Sequence, residues 1–365
     1  MSGTRPVLML AGGTGGHIFP GLAVAAALRE QAMAVVWLGA VNGLETKLVP
    51  EAGIECLTIP VAGLRRRGWR NWLAAPWALT RALIAAWRAV RQVQPRAALA
   101  FGGFAAGPGG LAAWLLGVPL VVHEQNRIAG LTNRVLARLA RCVLTGFADV
   151  RIGPRDTRWV GNPVRAAITE LPAPDQRALA RAGDPTLRLL VIGGSQGARA
   201  LNEAMPQALA PFPARGAPPI EVRHQCGPAL LDATTSAYAH AGVAARIEPF
   251  IADMAQAWAW ADLVVCRAGA LTLAEVCAAG VASVLVPYPY AVDDHQTLNA
   301  QALVGAGAAL RVTEGADLAA ELRAAIETLA ADPGARLTMA RAARALARPD
   351  AANRIAQIVL EVSRP

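Results

Sequence analysis

Two glycine-rich segments of this chain carry side chains that could accept a proton or hold a phosphate. The first is Gly12-Gly13-Thr14-Gly15-Gly16-His17, and the second, in the other half of the chain, is Gly193-Gly194-Ser195-Gln196-Gly197. Where a strand ends in glycines and a helix follows, backbone N–H groups and the positive end of the helix can approach an anion closely. Two further loops of this kind read AFGGFAAGPGG and CRAGALTLAE. A single such loop can be a simple tight turn, but four in one chain indicate phosphate chemistry.

The first loop fits neither of the common nucleotide-binding signatures. It departs from GxGxxG because Ile18 stands where the last glycine belongs. The chain also has no GxxxxGK[ST] segment, since its one lysine is Lys47. Both observations weaken the interpretation as a nicotinamide-dependent enzyme or an ATPase.

The elements that would position these loops are strands alternating with helices, a pattern typical of doubly wound parallel sheets. The two halves resemble each other, because VLMLAGGTGGH and LRLLVIGGSQGARALN both lead into a helix, and a second glycine loop follows in each. We therefore expect an α/β protein with two Rossmann-like domains facing each other across a cleft and joined near GNPVRAAITELPAPDQ. The predicted strands are PVLMLAGG, AVVWLGA, AALAFGG, PLVVHEQ, CVLTGF, LRLLVIGG, ADLVVCRAG and VASVLVPYP.

Length and composition agree with two well-packed domains. The 365 residues include 54% hydrophobic and 17% charged side chains, which excludes a disordered protein. Residues 97–122 contain no charge and could cross a bilayer by length, but six glycines and two prolines instead predict strand, glycine loop, short helix and buried strand. The apolar N-terminal stretch is too short for a secretory signal, so we expect a cytoplasmic protein. Its five cysteines form no CxxC pair and are expected to be reduced and mostly buried.

Positive charge is concentrated in the first half of the chain. Residues 1–164 hold 18 basic and 7 acidic residues, whereas residues 165–365 hold 17 and 19, which together give the net charge of +9. An anionic surface or ligand is expected near the first half. Nucleic acid is disfavoured as the partner, because the arginines lack interleaved aromatic platforms and nucleic-acid-binding fold motifs.

A predicted helix over residues 77–91 suggests which anionic surface this is. One side of the helix is apolar, and the other alternates large apolar and cationic groups. Such a stripe, extended by RRRGWRNW at 65–72, suits an anionic membrane surface, and a solvated basic face is the alternative. The predicted core side consists of Leu79, Leu83, Ala86 and Val90, and the predicted membrane-facing side of Trp77, Arg81, Ile84, Arg88 and Arg91.

Seven segments, in this order and combination, resemble the MurG family of peptidoglycan glycosyltransferases, and the match runs from residue 7 to about 300. The resemblance implies a GT-B fold with an acceptor- and membrane-side domain over 1–163, a UDP-sugar domain over 164–340 and a C-terminal helix over 341–365 that crosses back. The segments are GGTGGHIFPGLAVA (12–25), FGGFAAGP (101–108), HEQNRIAGLTNR (123–134), GNPVR (161–165), GGSQGARALN (193–202), CRAGALTLAE (266–275) and DDHQTLNA (293–300).

The resemblance also implies an activity and a location. The reaction would move N-acetylglucosamine, with inversion, from UDP-N-acetylglucosamine to the C4 hydroxyl of undecaprenyl-pyrophosphoryl-N-acetylmuramoyl-pentapeptide, in cell-wall synthesis and hence in cell shape and division. The alternative is another GT-B transferase that builds a glycolipid with a different sugar. The enzyme would act peripherally on the cytoplasmic face of the bacterial inner membrane. No cofactor or protein-bound metal is expected, because Asp293 and Asp294 are adjacent rather than spaced as D-x-D.

Roles for individual residues follow from the matching motifs. His17 is the expected base for the acceptor hydroxyl, with an acceptor-orienting or helix-capping role as its alternative, and Glu124 is the second candidate base. Glu275 would bind the ribose hydroxyls, although alone it could be a glutamate favoured by a helix dipole. Arg165 would place a charge near UDP, although alone it could be merely solvated. The remaining donor-site residues are Thr14, Gly15, Gly16, Ser195 and Gln196 for the diphosphate, Ile251 for uracil, Ala270, Leu271 and Thr272 beside Glu275, and Asn126, His295 and Gln296 for the sugar.

Overall fold

The chain consists of two compact α/β units. Unit 1 comprises Met1–Arg165 and Arg348–Pro365, and unit 2 comprises Ala166–Ala347. The first predicted boundary lies two residues from this division, but residues 341–347, predicted to belong to the returning C-terminal helix, lie in unit 2. The structure is a computed structural model that describes residues 5–61, 69–154, 157–194, 197–210 and 218–364, with only the backbone described for 69–75.

Unit 1 is built on a parallel sheet. Its strands are β1 (Val7–Ala11), β2 (Val35–Ala40), β3 (Glu55–Ile59), β4 (Ala97–Gly102), β5 (Leu120–Glu124), β6 (Cys142–Thr145) and β7 (Thr157–Trp159). Its helices within the first segment are α1 (Gly15–Glu30), α2 (Glu45–Glu51), α3 (Trp69–Val93), α4 (Ala106–Leu115) and α5 (Leu131–Leu139). The strand order is β3-β2-β1-β4-β5-β6-β7, so the order reverses between β1 and β4. Ligands of open α/β sheets bind beyond the carboxyl ends of the strands at such a reversal.

Both faces of this sheet are covered, which explains the nearly continuous apolar strands. Alternate residues of β1 point to opposite cores: Met9 packs in a cluster with Trp37 and Ile18, whereas Leu10 packs in a cluster with Ala86 on α3. The Trp37 indole N–H also donates to Ala11 O at 2.8 Å. That bond ties β2 to the end of β1, where the first glycine loop begins.

Unit 2 repeats this topology. Its strands are β8 (Leu187–Ile192), β9 (Ile220–Gln225), β10 (Arg246–Glu248), β11 (Leu263–Cys266), β12 (Ala282–Leu285) and β13 (Leu310–Arg311), in the parallel order β10-β9-β8-β11-β12-β13. The order reverses between β8 and β11. Its helices are α6 (Ala166–Thr169), α7 (Pro174–Ala180), α8 (Arg199–Leu209), α9 (Leu231–His240), α10 (Met254–Trp260), α11 (Ala270–Ala279), α12 (His295–Gly305), α13 (Leu318–Ala331) and α14 (Pro333–Ala345), with 3-10 turns at Pro228–Leu230 and Val292–Asp294.

The last helix completes unit 1. Helix α15 (Ala351–Val362) places Ile355 and Val359 in the same core cluster as β1 and α1. Beyond it, Arg96 Nε donates to Ser363 Oγ at 2.9 Å. Helix α15 therefore packs within unit 1, while α14 packs within unit 2.

All eight predicted strands are present, and residues 97–122 form β4, a loop, α4 and the start of β5, as predicted. The sequence pattern missed β3, β7, β9, β10 and β13. Strands β7, β10 and β13 have only two or three residues, and β9 (IEVRHQ) is interrupted by charged residues. Strand β3 (ECLTI) begins with a charged residue, which shortens its uncharged run to four residues. Of the five cysteines, Cys56 is half-buried and the other four are buried. Among the described residues, no helix combines the length and hydropathy that crossing a bilayer requires.

Helix α3 departs from one prediction. Ala86 and Val90 are buried and Leu83 is half-buried, but Leu79, predicted to face the core, is 58% exposed. The first buried residue described on α3 is Ala82, and residues 76–81 are all exposed. This part of the helix is therefore not covered by the described residues around it, and periodicity within the helix could not show where its packing against the rest of unit 1 begins.

A buried histidine on β9 gives the folding of unit 2 a testable pH dependence. His224 Nδ1 lies 2.9 Å from Tyr238 Oη and its Nε2 lies 3.1 Å from Asn202 Oδ1, and burial lowers the pKa of His224 to about 3. As the pH falls from about 6.5, the unfolded chain binds a proton that the folded chain excludes, so stability falls. In urea denaturation, we expect His224→Gln to reduce the loss of unfolding free energy between pH 7 and pH 5 by about 2 kcal/mol. The control is His240→Gln, at an exposed histidine. If both variants lost the same unfolding free energy between pH 7 and pH 5, the proposed contribution of His224 would be contradicted.

Candidate active site

The first glycine loop connects β1 to α1 at the reversal point of the unit 1 sheet. Gly13 has φ +92°, a left-handed conformation that favours glycine, and Thr14 is the extended residue before α1. The first N–H groups of a helix have no partner within it, so those of Gly15 and Gly16 are placed as donors to an anion. The loop after β4 packs directly against this one, since a Cβ on Gly103 would lie 2.1 Å from the Gly12 carbonyl oxygen.

His17 is the third residue of α1, and its half-buried ring contacts both loops. Its Nδ1 lies 3.3 Å from Thr14 Oγ1, and its Nε2 would lie 3.1 Å from a Cβ on Gly102. Burial lowers the pKa of His17 to about 4, and the negative charge of Glu45 opposes part of this shift. The imidazole is therefore neutral at pH 7 and able to accept a proton.

Glu124, the second candidate base, is buried at the end of β5 and its carboxylate accepts four hydrogen bonds. Oε1 accepts from Asn126 N (2.9 Å) and Nδ2 (3.2 Å), and Oε2 accepts from Gly130 N (3.1 Å) and Asn133 Nδ2 (2.9 Å). Burial raises the pKa of Glu124, while these hydrogen bonds lower it. Because each oxygen already has two donors, Glu124 is better arranged to fix the following loop, and with it Asn126, than to take a proton.

The GNPVR segment is held within unit 1 by the strand that ends in Glu124. His123 Nε2 lies 2.9 Å from Gly161 O, and Asn162 Nδ2 donates to Gln125 O at 3.0 Å. At the end of the segment, the Arg165 guanidinium lies 5.7 Å from the centre of the Phe19 ring on α1. Arg165 is thus packed beside the helix that carries His17.

Unit 2 has its own pair of glycine loops, at the ends of β8 and β11. Gly194 and Gly197 have φ +81° and +76°, and a Cβ on Gly197 would lie 2.1 Å from Cys226 O, so glycine is required there. The predicted phosphate ligands Ser195 and Gln196 lie outside the described residues. The second loop ends at Gly269, and α11 begins with the buried Ala270, followed by the half-buried Leu271 and Thr272.

Glu275 is half-buried on α11, one turn further along the helix. Its Oε2 accepts a hydrogen bond from the indole Nε1 of Trp258 at 3.1 Å, and Trp258 is fully buried on α10. The alternative that Glu275 is simply a glutamate favoured by the dipole at a helix N-terminus does not apply, because it is the sixth residue of α11 and lies outside the first turn. A carboxylate oriented by a rigid indole is suited to accept hydrogen bonds from two hydroxyls.

The predicted sugar-binding residues of unit 2 begin α12. His295 is its first residue, with Nδ1 2.7 Å from Val292 O, and Gln296 Oε1 accepts the Tyr288 N–H at 3.0 Å. Asp293 and Asp294, just before the helix, both have left-handed backbones, with φ +54° and +50°. Strain of this kind in residues other than glycine persists only where the surrounding structure imposes it, and it concentrates at functional sites.

Ile251, predicted to recognise uracil through its backbone, is fully buried. Its N–H already donates to Gln225 Oε1 at 3.2 Å, so a uracil edge would reach the carbonyl more readily than the N–H. The described residues contain no group of three or more His, Cys, Asp and Glu side chains placed to hold a metal ion. A metal-independent reaction remains a prediction.

Three residues of these sites were not predicted from the sequence. Glu45 lies under the first glycine loop, Asn133 joins Glu124, and Trp258 holds Glu275. Asn133 lies inside the HEQNRIAGLTNR segment and could have been proposed from it. Glu45 and Trp258 carried no local signal, because each acts on a residue that is distant in the sequence.

Two family models match the chain. The glycosyltransferase family 28 N-terminal domain matches residues 7–145, and the family 28 C-terminal domain matches residues 188–355. The chain belongs to glycosyltransferase family 28. The first match covers the glycine loops of unit 1 and Glu124, and the second covers those of unit 2 and Glu275.

This family 28 transferase is similar to proteins named UDP-N-acetylglucosamine--N-acetylmuramyl-(pentapeptide) pyrophosphoryl-undecaprenol N-acetylglucosamine transferase. The one from Xanthomonas campestris pv. campestris (strain B100) is 60% identical over 98% of this chain and 82% of its own length. The one from Xylella fastidiosa (strain M12) is 58% identical over 98% of this chain and 96% of its own. The crystal structure of Acinetobacter baumannii MurG matches with a TM-score of 0.83 and 39% identity, over 98% of this chain and 100% of that one. The expected MurG resemblance and GT-B fold are confirmed.

Proposed function

We propose that this transferase moves N-acetylglucosamine from UDP-N-acetylglucosamine to the C4 hydroxyl of undecaprenyl-pyrophosphoryl-N-acetylmuramoyl-pentapeptide. The observation that carries the proposal is 60% identity, over 98% of the chain, to a protein named for this transfer. The geometry supports it, because each unit has two glycine loops at the reversal point of its sheet, where an α/β sheet binds its ligands.

In the proposed reaction, the acceptor oxygen attacks C1 of the donor sugar, and the bond from C1 to the diphosphate oxygen breaks. The proton of the acceptor hydroxyl passes to His17, and UDP leaves with the bonding electron pair. Inversion at C1 follows from attack opposite to the leaving group. The N–H groups of Thr14, Gly15 and Gly16, together with Ser195 and Gln196, would stabilise the charge that develops on the diphosphate.

The donor would bind mainly to unit 2. Glu275 would accept the two ribose hydroxyls, Ile251 would contact uracil, and Ala270, Leu271 and Thr272 would line the start of α11. Gln296 and His295 on α12 would bind the sugar hydroxyls, to which Asn126 would add its amide. Arg165 would supply positive charge for the diphosphate.

One assay tests the substrate assignment. Purified protein is incubated with radiolabelled UDP-N-acetylglucosamine and a lipid-linked N-acetylmuramoyl-pentapeptide, and label in the lipid fraction is counted. We expect transfer to the lipid and a strong preference over UDP-glucose. No transfer, or equal use of both donors, would refute the assignment, and equal use would favour a different glycolipid transferase.

We also propose that the exposed part of α3 docks on the anionic cytoplasmic surface of the inner membrane, where this acceptor is found. Trp77 is 69% and Ile84 47% exposed, and Arg81, Arg88 and Arg91 are exposed between and beyond them. Leu79, exposed rather than in the core, adds apolar surface to the same part of the helix. Apolar side chains among arginines fit the boundary between acyl chains and anionic headgroups, whereas a solvated face does not need them.

Charge reversal on α3 tests this docking. We expect Arg81→Glu, Arg88→Glu and Arg91→Glu together to lower the affinity for phosphatidylglycerol vesicles, measured by sedimentation, at least about 100-fold. Loss of roughly 1 kcal/mol for each arginine near the surface accounts for this factor, and the repulsion of the new carboxylates adds to it. The matched control reverses the exposed Arg311, Arg354 and Arg364, which changes the net charge equally. Equal loss in both variants would indicate a net-charge effect and would refute docking through α3.

A further inference from the structure

Glu45 is a fully buried carboxylate in unit 1. It is the first residue of α2, just after β2, and its relative exposure is 0%. A buried carboxylate needs hydrogen-bond donors to offset its loss of hydration. Glu45 has two backbone donors: the Ala40 N–H to Oε1 at 2.7 Å and the Gly13 N–H to Oε2 at 3.1 Å. Its carboxylate therefore connects the end of β2 to the glycine loop that leads to His17.

Three glycines leave the space that this carboxylate occupies. A Cβ on Gly12 would lie 2.2 Å from Oε1, one on Gly39 would lie 2.3 Å from Cγ, and one on Gly43 would lie 2.2 Å from Cδ. None of these positions could hold even alanine without displacing Glu45. Gly12 is thus constrained by Glu45, in addition to any need for a ligand to approach the loop.

The charge of Glu45 reaches two titratable neighbours. It raises the pKa of His17 against the larger lowering caused by burial. It also adds to burial in raising the pKa of Cys56 to about 11, and the Cys56 Sγ lies 3.9 Å from Glu45 O. Cys56 therefore offers an independent report on the charge at Glu45.

We propose that Glu45 is a positioning residue for His17: it fixes the Gly13 N–H, and thereby the Thr14–His17 turn, and its negative charge stabilises the imidazolium formed when His17 takes the acceptor proton. This inference rests on the proposed role of His17 as base. Glu45 acts through the loop and through its electric field, without contacting the substrate.

The first test is Glu45→Gln, which keeps the size of the side chain, removes the charge and turns an NH2 group toward a backbone donor. We expect kcat to fall about 10- to 100-fold, a fraction of what general-base catalysis contributes, with donor KM changed less than about threefold. The matched control is Glu51→Gln, an exposed glutamate at the other end of α2. A kcat equal to that of the control would overturn the proposal. If Glu45→Gln does not fold, Glu45→Asp keeps the charge on a shorter side chain, and wild-type kcat in that variant would overturn the positioning role.

A double-mutant cycle separates failure of this inference from failure of the proposed base. If Glu45 acts through His17, Glu45→Gln should lower kcat less than about twofold in a His17→Asn background, because the two losses are not additive. Full additivity would overturn the proposal for Glu45. Wild-type activity in the single variant His17→Asn would instead refute the proposed role of His17 as the base.

Alkylation of Cys56 reports on the charge at residue 45 when Glu45→Gln is compared with Glu45→Asp. Loosened packing would lower the pKa of the Cys56 thiol in both variants, because burial also raises this pKa, but only Glu45→Gln removes the charge. We expect iodoacetamide to modify Cys56 in Glu45→Gln with an apparent pKa below those of the wild type and of Glu45→Asp, since a negative charge that disfavours the thiolate has been removed only in Glu45→Gln. The other four cysteines are buried, so peptide mapping can isolate the Cys56 signal. An unchanged or higher apparent pKa would show that residue 45 carries no charge felt in the loop and would overturn the electrostatic part of the proposal.

Discussion

Replacing His17 with asparagine is expected to lower kcat by about 10²- to 10⁴-fold, the usual contribution of a general base, while donor KM changes little. The reason is that asparagine can hydrogen-bond to Thr14 in place of the ring but cannot accept a proton. Steady-state kinetics with the lipid-linked acceptor measures both parameters. His240→Asn, an exposed histidine of unit 2, is the control. If kcat of His17→Asn lay within about threefold of the wild-type value, His17 would be excluded as the base. Glu124, the second candidate, would then be the base to test.

The pH dependence of the wild-type enzyme extends this prediction. An unperturbed histidine, with a pKa near 6.5, would be only about one-quarter deprotonated at pH 6. Burial lowers the pKa of His17 to about 4, so the imidazole stays deprotonated down to about pH 5. We therefore expect kcat/KM to be nearly equal at pH 6 and pH 7.5. A fall in kcat/KM centred near pH 6.5 would contradict this environment for His17.

The second large effect is expected at the donor. Glu275→Ala should raise the KM for UDP-N-acetylglucosamine by at least about 10- to 100-fold, since even one hydrogen bond to a charged group contributes roughly 1.5 to 3 kcal/mol. Binding to anionic vesicles should be unchanged, because Glu275 lies on α11 of unit 2 and the proposed docking surface lies on α3 of unit 1. Glu221→Ala, an exposed carboxylate on β9, is the matched control. An unchanged donor KM would remove Glu275 from ribose recognition.

Two further measurements make this test specific to the ribose: one uses a 2′-deoxyribose donor and the other a variant of Trp258. A 2′-deoxyribose donor should bind the wild type less tightly but should bind Glu275→Ala about as well as the normal donor, because the partner of the missing hydroxyl is gone. Trp258→Phe keeps an aromatic side chain but replaces the indole with a smaller ring that lacks the N–H, and so removes the 3.1 Å hydrogen bond to Glu275. A smaller rise in donor KM, of about three- to tenfold, is expected. If the deoxy donor remained equally disfavoured in Glu275→Ala, another residue would bind the ribose.

The positions of the four glycine loops could be predicted from the sequence, but the contacts between the loops could not. Each follows a run of apolar residues, and the sequence alone placed all four at strand ends as anion sites. In the structure they follow β1, β4, β8 and β11, the two strands on either side of the reversal in each sheet. The sequence could not show that Gly103 packs on the Gly12 carbonyl, because strand order, rather than any local pattern, brings these loops together.

Amphipathic periodicity had a similar limit on α3. It correctly separated Ala86 and Val90 from Arg81 and Arg88, because the turn of a helix fixes which residues share a face. It placed Leu79 wrongly, because burial depends on where the neighbouring sheet and helices end. The exposed leucine belongs to the surface that we propose for the membrane.

By itself, the sequence determined the α/β class, the two-domain organisation, the strand-end glycine loops and the family, since apolar runs, glycine positions and motif order are all properties of short segments. Only the tertiary structure revealed Glu45 beneath the His17 loop, the hydrogen bonds that Asn133 and backbone N–H groups donate to Glu124, and Trp258 against Glu275. Glu45 and Gly13 are 32 residues apart, and Trp258 and Glu275 are 17 apart. Contacts between such residues arise from strand order and helix packing, and the free energy of burying a charge is decided by what the fold places around it.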